Sequence, residues 1–366
     1  MTTLHAINQL GQSIWYDNIR RSLLDSGEFQ KLIQAGVSGV TSNPTIFDKA
    51  IRGSTDYDAG LQRLLDADEP VNKVFEALAL EDIGRTADLL RPIFDRTHGV
   101  DGYVSLEVDP NLAYDTQNTI SEAKRLFAVL GRPNVMIKVP ATPAGYPAAE
   151  TLIGQGINVN VTLMFSMAQY EATAEAYITG LEQLAERGGD LSQVASVASF
   201  FVSRVDTYVD RALETHPHGS SLQGKIAIAN TKMVYARFRE IFDGERWARL
   251  VAQGAHVQRP LWASTSTKNP SYPDTLYVDN LIGPDTVNTI PPATLQAVLD
   301  HGAVAPAVET GLDKARAQLA RLSELGVDLD AITQQLLEDG VTAFAKSFES
   351  MLASIDAKRG RLLADA

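Results

Sequence analysis

Eight short apolar segments, each parted from the next by a longer polar-and-apolar stretch, constrain this chain more than any other feature of its sequence. The strand-like segments are 13–17, 37–42, 102–108, 135–140, 157–165, 194–203, 260–265 and 286–290. Helix-type stretches such as 71–91, 116–130, 166–187 and 222–242 lie between them. Parallel strands need a crossover long enough to return the chain, and an amphipathic helix supplies it, so the pattern reads as βαβ units. Eight such units predict an α/β fold, a closed (β/α)8 TIM barrel, rather than an open doubly wound sheet. The open sheet would be favoured by a GxGxxG turn or a GxxxxGK[ST] loop, and the sequence has neither. The chain is read as one domain over 1–366, with 306–366 as a C-terminal extension. Two helices are expected there, over 306–325 and 330–358, capping the barrel or lying against it.

Parallel strands are buried on both faces and should be almost wholly apolar. Several of these are not. Val104, Leu106 and Val108 alternate with Tyr103, Ser105 and Glu107. Val135, Ile137 and Val139 alternate with Met136 and Lys138, and Val159, Val161 and Leu163 with Asn158, Asn160 and Thr162. Side chains alternate faces along a strand. If the apolar set meets the helices, then Glu107, Lys138, Asn158, Asn160 and Thr162 point into the barrel. Lys and Glu are seldom buried without a partner, because desolvating a charge is costly. Barrel enzymes keep their sites at the C-terminal ends of the strands, which is where Glu107 and Lys138 fall.

Lys138 is the most informative of these residues. A free lysine has a pKa near 10.4, so only about one in a few thousand is neutral at pH 7. Burial favours the neutral amine, which attacks carbonyls to give a Schiff base, an electron sink for C–C cleavage. The competing reading is a structural ion pair with Glu107 or Asp17. Asp17 could equally cap a helix beginning in NIRRSLLDSG. Glu107 and Asp109 share one parity. Asp109 stands directly before Pro110, which suits loop structure, so chemistry is assigned to Glu107.

Composition narrows the classes further. The 366 residues include no cysteine, which excludes disulfides, zinc-thiolate sites and a thiol nucleophile, and suits a reducing cytoplasm. Net charge is −13 without a basic run, so neither nucleic acid nor an anionic membrane is an expected partner. The N-terminus lacks the pattern of a signal peptide, and no window approaches eighteen apolar residues. The six histidines show no metal-ligand spacing; His216 and His218 read as loop, and no metal site is expected. Trp247, Trp262 and Phe201 read as packing, although Phe201 is placed to border a site.

The stretches VTSNPTIF (40–47), VSLEVDP (104–110), MIKVPAT (136–142) and INVNVTLMFS (157–166) resemble the transaldolases, in order and spacing. ASFFVSRVD (198–206) and RPLWASTSTKNP (259–270) extend the resemblance over most of residues 4–300. It implies a (β/α)8 barrel that needs no cofactor. It also implies transfer of a dihydroxyacetone unit between ketose and aldose phosphates in the pentose phosphate pathway. By the same resemblance Lys138 is the Schiff-base lysine and Glu107 the acid/base acting through a water. Asp17 takes the C4 hydroxyl proton, Thr162 holds the water, and Asn43 and Asn160 bind the three-carbon unit. Ser199, Arg204 and Ser264 match the phosphate end. Many members carry a second arginine where this chain has Ser266, and Lys268 is the expected substitute.

Two rivals remain at this point. A fructose-6-phosphate aldolase of the same superfamily would typically lack the glutamate and carry tyrosine in place of Phe201. A non-catalytic sugar-phosphate-binding barrel could dispense with Lys138, Glu107 and Asp17. Arg204 could also be a surface ion pair with Asp210. The expected assembly is a monomer or homodimer.

Overall fold

The computed structural model describes residues 2–65 and 69–364. Residues 1, 66–68, 365 and 366, which belong to the expected single domain and its extension, lie outside the described residues. The eight strands form a closed parallel barrel in chain order. They are β1 (Gln12–Tyr16), β2 (Val37–Thr41), β3 (Val104–Glu107), β4 (Val135–Pro140), β5 (Val159–Met164), β6 (Ser196–Phe201), β7 (Arg259–Ala263) and β8 (Thr286–Ile290). All eight segments read from the sequence become strands: 135–140 and 286–290 keep their bounds, 13–17 and 260–265 begin one residue earlier and end sooner, and the other four are trimmed. The helix Thr116–Leu130 coincides with the expected one, while the expected 71–91 runs on from Val71 to Arg96.

Register carries the inward residues to common levels. Glu107 on β3 is paired with Lys138 on β4, and Lys138 with Asn160 on β5. Neighbours in a ladder share a face, so these three side chains stand side by side. Near the barrel's N-terminal end Trp15 fills the interior, which requires Gly39 opposite: a Cβ there would lie 2.5 Å from the indole.

β5 departs from regular geometry at Leu163, whose φ is +61°. The register with β6 shifts between Val161 and Met164, a bulge directly beside Thr162. A bulky residue in the left-handed region costs about 1–3 kcal/mol, and such costs gather at functional sites.

The extension differs in detail from its sequence reading. Its first helix begins only at Leu312 and ends at Glu324, because Gly311, with φ +68°, starts it. The second runs from Leu329 to Ala364 and crosses the C-terminal mouth of the barrel. It packs on the helix Pro44–Arg52, where Ser347 meets Thr45 at 2.8 Å and Ser354 meets Asp48 at 3.1 Å. Lys358 fixes its far end on the carbonyls of Ile51 and Ser54 and on Asp58. Among the described residues, no helix is long and apolar enough to cross a membrane.

Candidate active site

A cavity of about 500 Å³ opens at the C-terminal ends of the strands. Nine of the eleven residues singled out from the sequence line it: Asp17, Asn43, Lys138, Thr162, Ser199, Phe201, Arg204, Ser264 and Lys268. Glu107 and Asn160 stand just outside it, each touching a residue of the lining.

Lys138 is 5% exposed, and its ammonium donates to the Ser42 carbonyl at 3.0 Å and to Glu107 Oε2 at 3.2 Å. The ion pair with Glu107 therefore forms, with both side chains only 6% exposed. Burial pushes the Glu107 carboxyl above its ordinary range, against the pull of the adjacent Lys138 charge. Glu107 turns away from the main cavity. It lines a second one of about 470 Å³, beside Glu76, Arg125 and Phe348.

Asp17 follows β1 and is held by its backbone N–H on Ile290 at 2.9 Å. It caps no helix: the next one starts at Arg21 with Arg20 before it. Its carboxylate accepts the Thr41 hydroxyl at 2.7 Å. Burial raises its pKa, opposed by that hydrogen bond and by the charges of Lys138, Lys268 and Arg204. Asp109 is structural, as its place before Pro110 suggested, accepting the Asn111 N–H at 2.9 Å.

The floor is a hydrogen-bond chain. Ser199 Oγ donates to Asn160 Oδ1 at 2.6 Å, and Asn160 Nδ2 donates to Ser105 Oγ at 3.1 Å. Asn160 is fully buried, behind Ser199 and beside Lys138, both of which line the cavity. Asn158 is set lower, binding the carbonyls of Pro133 and Val135, and is part of the barrel's frame. Asn43 caps the helix Pro44–Arg52, its Oδ1 accepting the Ile46 N–H, which leaves its Nδ2 donors for a ligand. Thr162 Oγ1 is buried at the cavity wall without a hydrogen-bond partner among the described residues. A buried hydroxyl left unmatched is costly, which marks the place of a water or substrate group.

The rim is cationic. Its lining holds Arg20, Lys49, Lys138, Arg204 and Lys268, with Asp17 as the one carboxylate. Arg204 makes no ion pair among the described residues; its guanidinium lies 5.3 Å from the Phe201 ring, and desolvation lowers its pKa. Asp210, the alternative partner, accepts Tyr272 at 2.6 Å and the Gly224 N–H instead. Lys268 hydrogen-bonds Ser266 at 2.7 Å, and partial desolvation, Arg204 and Lys49 lower its pKa. Ser264, with φ +55°, lies 3.0 Å from Ser203. Arg20, Lys49 and Phe344 were missed by sequence reasoning. The two cations sit in ordinary amphipathic stretches, and Phe344 arrives from a helix more than two hundred residues beyond Lys138.

A closed parallel barrel with a buried lysine–carboxylate pair at the top of its strands, a second raised carboxylate and a cationic rim defines an enzyme for phosphorylated carbonyl compounds. Residues 14–355 match the transaldolase/fructose-6-phosphate aldolase family. The chain is 49% identical to the transaldolase of Thiobacillus denitrificans, over 95% of this chain and 98% of that one. It is 46% identical to transaldolase 2 of a Nostoc species over 96% of each, and 47% to the transaldolase of Thermobifida fusca over 95% and 96%. The chain belongs to the transaldolase/fructose-6-phosphate aldolase family.

Proposed function

We propose that this enzyme works as a transaldolase, moving a dihydroxyacetone unit from a ketose phosphate to an aldose phosphate through a Schiff base on Lys138. The observation that carries the reading is the placement of Lys138 at the cavity wall, 3.2 Å from Glu107. Glu107, made more basic by burial, takes the ammonium proton and frees the amine. The amine adds to the ketose carbonyl. The resulting carbinolamine must lose water, and the protonated Glu107 returns its proton to the departing hydroxyl through a water that the unmatched Thr162 hydroxyl holds. Asp17, across the same cavity and also raised, takes the C4 hydroxyl proton as the C3–C4 bond breaks. The electron pair of that bond passes into the protonated imine, giving an enamine that awaits an acceptor aldehyde.

Asn43 and Asn160, the latter beside Lys138 in the ladder, bind the hydroxyls of the three-carbon unit. The phosphate lies at Ser199, Arg204, Ser264 and Lys268. There the helix Ser203–Leu213 begins without a side-chain cap, but its Ser203 N–H is taken by the Ser264 carbonyl at 3.0 Å and its Val205 N–H by the Val202 carbonyl at 3.1 Å. The anion is left to the side chains, whose charge-assisted hydrogen bonds suit it. Lys268 takes the place of the arginine that Ser266 replaces. The presence of Glu107 and Phe201 favours transfer over release of free dihydroxyacetone.

The test is reduction with borohydride after incubation with fructose 6-phosphate, followed by peptide mass spectrometry. A three-carbon adduct on Lys138 that disappears when erythrose 4-phosphate is added before reduction is the expected result. A folded protein that binds the sugar but yields no adduct would instead be a binding barrel.

A further inference from the structure

The C-terminal helix Leu329–Ala364 does more than close the barrel. Phe344, at its middle, is 5% exposed, borders the main cavity and presents its ring 5.8 Å from Lys138 Nζ. The helix comes this close because Gly340, one turn earlier, has no side chain: a Cβ there would lie 3.0 Å from Leu163 Cδ2. Leu163 is the left-handed residue of the β5 bulge next to Thr162. Phe344, Leu163 and Val341 then form a small apolar void over Glu107. Tyr208–Asp339 at 2.6 Å and the Lys358 contacts hold the helix on either side.

We propose that Phe344 is a positioning residue that roofs the lysine and keeps water from the bound three-carbon fragment, so setting the ratio of transfer to release. The inference rests on the Schiff-base reading given above. Release requires two events. The nucleophilic carbon of the enamine takes a proton, giving the protonated imine. A water then adds to the imine carbon, and the C–N bond breaks to return the amine of Lys138 and free dihydroxyacetone. An apolar ring over the nitrogen hinders the second event by excluding water. Addition to an acceptor aldehyde needs only the open side of the cavity, toward Arg204 and Lys268, and the roof leaves it free.

The experiment measures free dihydroxyacetone formed per transfer, with fructose 6-phosphate and erythrose 4-phosphate, alongside borohydride trapping. Phe344→Ala is expected to raise that ratio about tenfold, a shift of one barrier against another, while the Lys138 adduct still forms. Phe344→Leu, which restores an apolar cover, is expected to bring the ratio most of the way back. A wild-type ratio in the alanine variant, whatever its overall rate, overturns the proposal. If that variant does not fold, Phe344→Gln is compared with Phe344→Leu: glutamine raises the ratio if the roof is a water barrier, and equal ratios overturn it. Absence of the adduct in the unmodified enzyme removes the Schiff-base reading itself. An adduct and transfer with an insensitive ratio remove the roof alone.

Discussion

The two ends of this barrel each bury charged side chains, and they do it differently. At the N-terminal end Arg259 on β7 donates to Ser13 at 2.6 Å and to the Val100 carbonyl at 2.8 Å, with Asp101 at 3.6 Å. Asp101 in turn accepts from Ser13, from Trp15 at 2.8 Å and from the Gly102 N–H at 3.0 Å. Both residues of that ion pair have their bonds made within the protein. At the C-terminal end Lys138 and Glu107 also pair. There, however, Thr162 Oγ1 is unmatched among the described residues, Asp17 and Glu107 are raised by burial, and Arg204 makes no ion pair among the described residues. Burial of charge alone does not mark a site. Nor does one unmatched polar atom, since Gln12 and Gln258 at the N-terminal end each keep a buried amide oxygen without a partner among the described residues. Two raised carboxylates, cations and an unmatched hydroxyl gathered around one cavity do.

That contrast breaks first, if it breaks, on Lys138 and Arg259. Lys138→Ala is expected to lower transfer by at least about 10⁴-fold, as loss of a covalent nucleophile does. Its stability should change by no more than about 2 kcal/mol, since Glu107 can take up a proton once its partner is gone. Arg259→Ala should do the reverse, costing about 3–5 kcal/mol by stranding the buried Asp101 while the folded fraction stays active. Denaturant unfolding and turnover per folded molecule read both. If Arg259→Ala loses turnover while keeping its stability, the two ends are not distinct.

The carboxylates at the open end sharpen the comparison. Asp17 has a folded pKa above its unfolded one, so its contribution to stability is present at low pH and lost as pH rises through the folded value. At neutral pH the ionised form is a burden on the fold. Asp17→Asn, whose side-chain oxygen can still accept from Thr41, should therefore raise the unfolding midpoint at pH 7 while slowing cleavage by about 10²–10⁴-fold. Glu107→Gln should slow formation of the trappable adduct more than its cleavage. Equal effects of the two variants on both steps would contradict the division of labour between them.

Much of this was legible in the sequence for one physical reason: a parallel strand should be apolar on both faces, so polar alternation in β3, β4 and β5 exposes the interior residues. Period-two alternation gave Lys138, Glu107, Asn160 and Thr162 a common side without any coordinates. Parity cannot say how deep a residue sits or which void it borders. Asn158 shares the parity of Asn160 and belongs to the frame, and Glu107 faces a second cavity behind the lysine. The bulge at Leu163 has no glycine to announce it, and Phe344 reaches the site only through tertiary packing of a helix with an unexceptional pattern. The family resemblance carried Asp17, Arg204 and Ser264; for Asp17 the local pattern also offered a helix cap, and for Arg204 a surface ion pair.

The smallest effect concerns Asp206, two residues from Arg204 yet with both carboxylate oxygens hydrogen-bonded. Its Oδ1 accepts the Ala227 N–H at 2.7 Å and its Oδ2 accepts Tyr277 at 2.9 Å, tying the helix Ser203–Leu213 to the start of the helix Ile226–Ile241. Burial raises its pKa to about 7, more than those hydrogen bonds lower it. The stability it contributes is full below the ordinary aspartate range and falls as pH rises through about 7, by at most ~1.4 kcal/mol per pH unit. Asp206→Asn should remove that slope from the pH dependence of unfolding free energy between about pH 4.5 and 7, leaving the Michaelis constant for sugar phosphates near its original value. If the pH profile of stability stays put and the Michaelis constant rises instead, Asp206 acts through Arg204 on the phosphate. A side chain with all its hydrogen bonds made within the frame would then also serve the site.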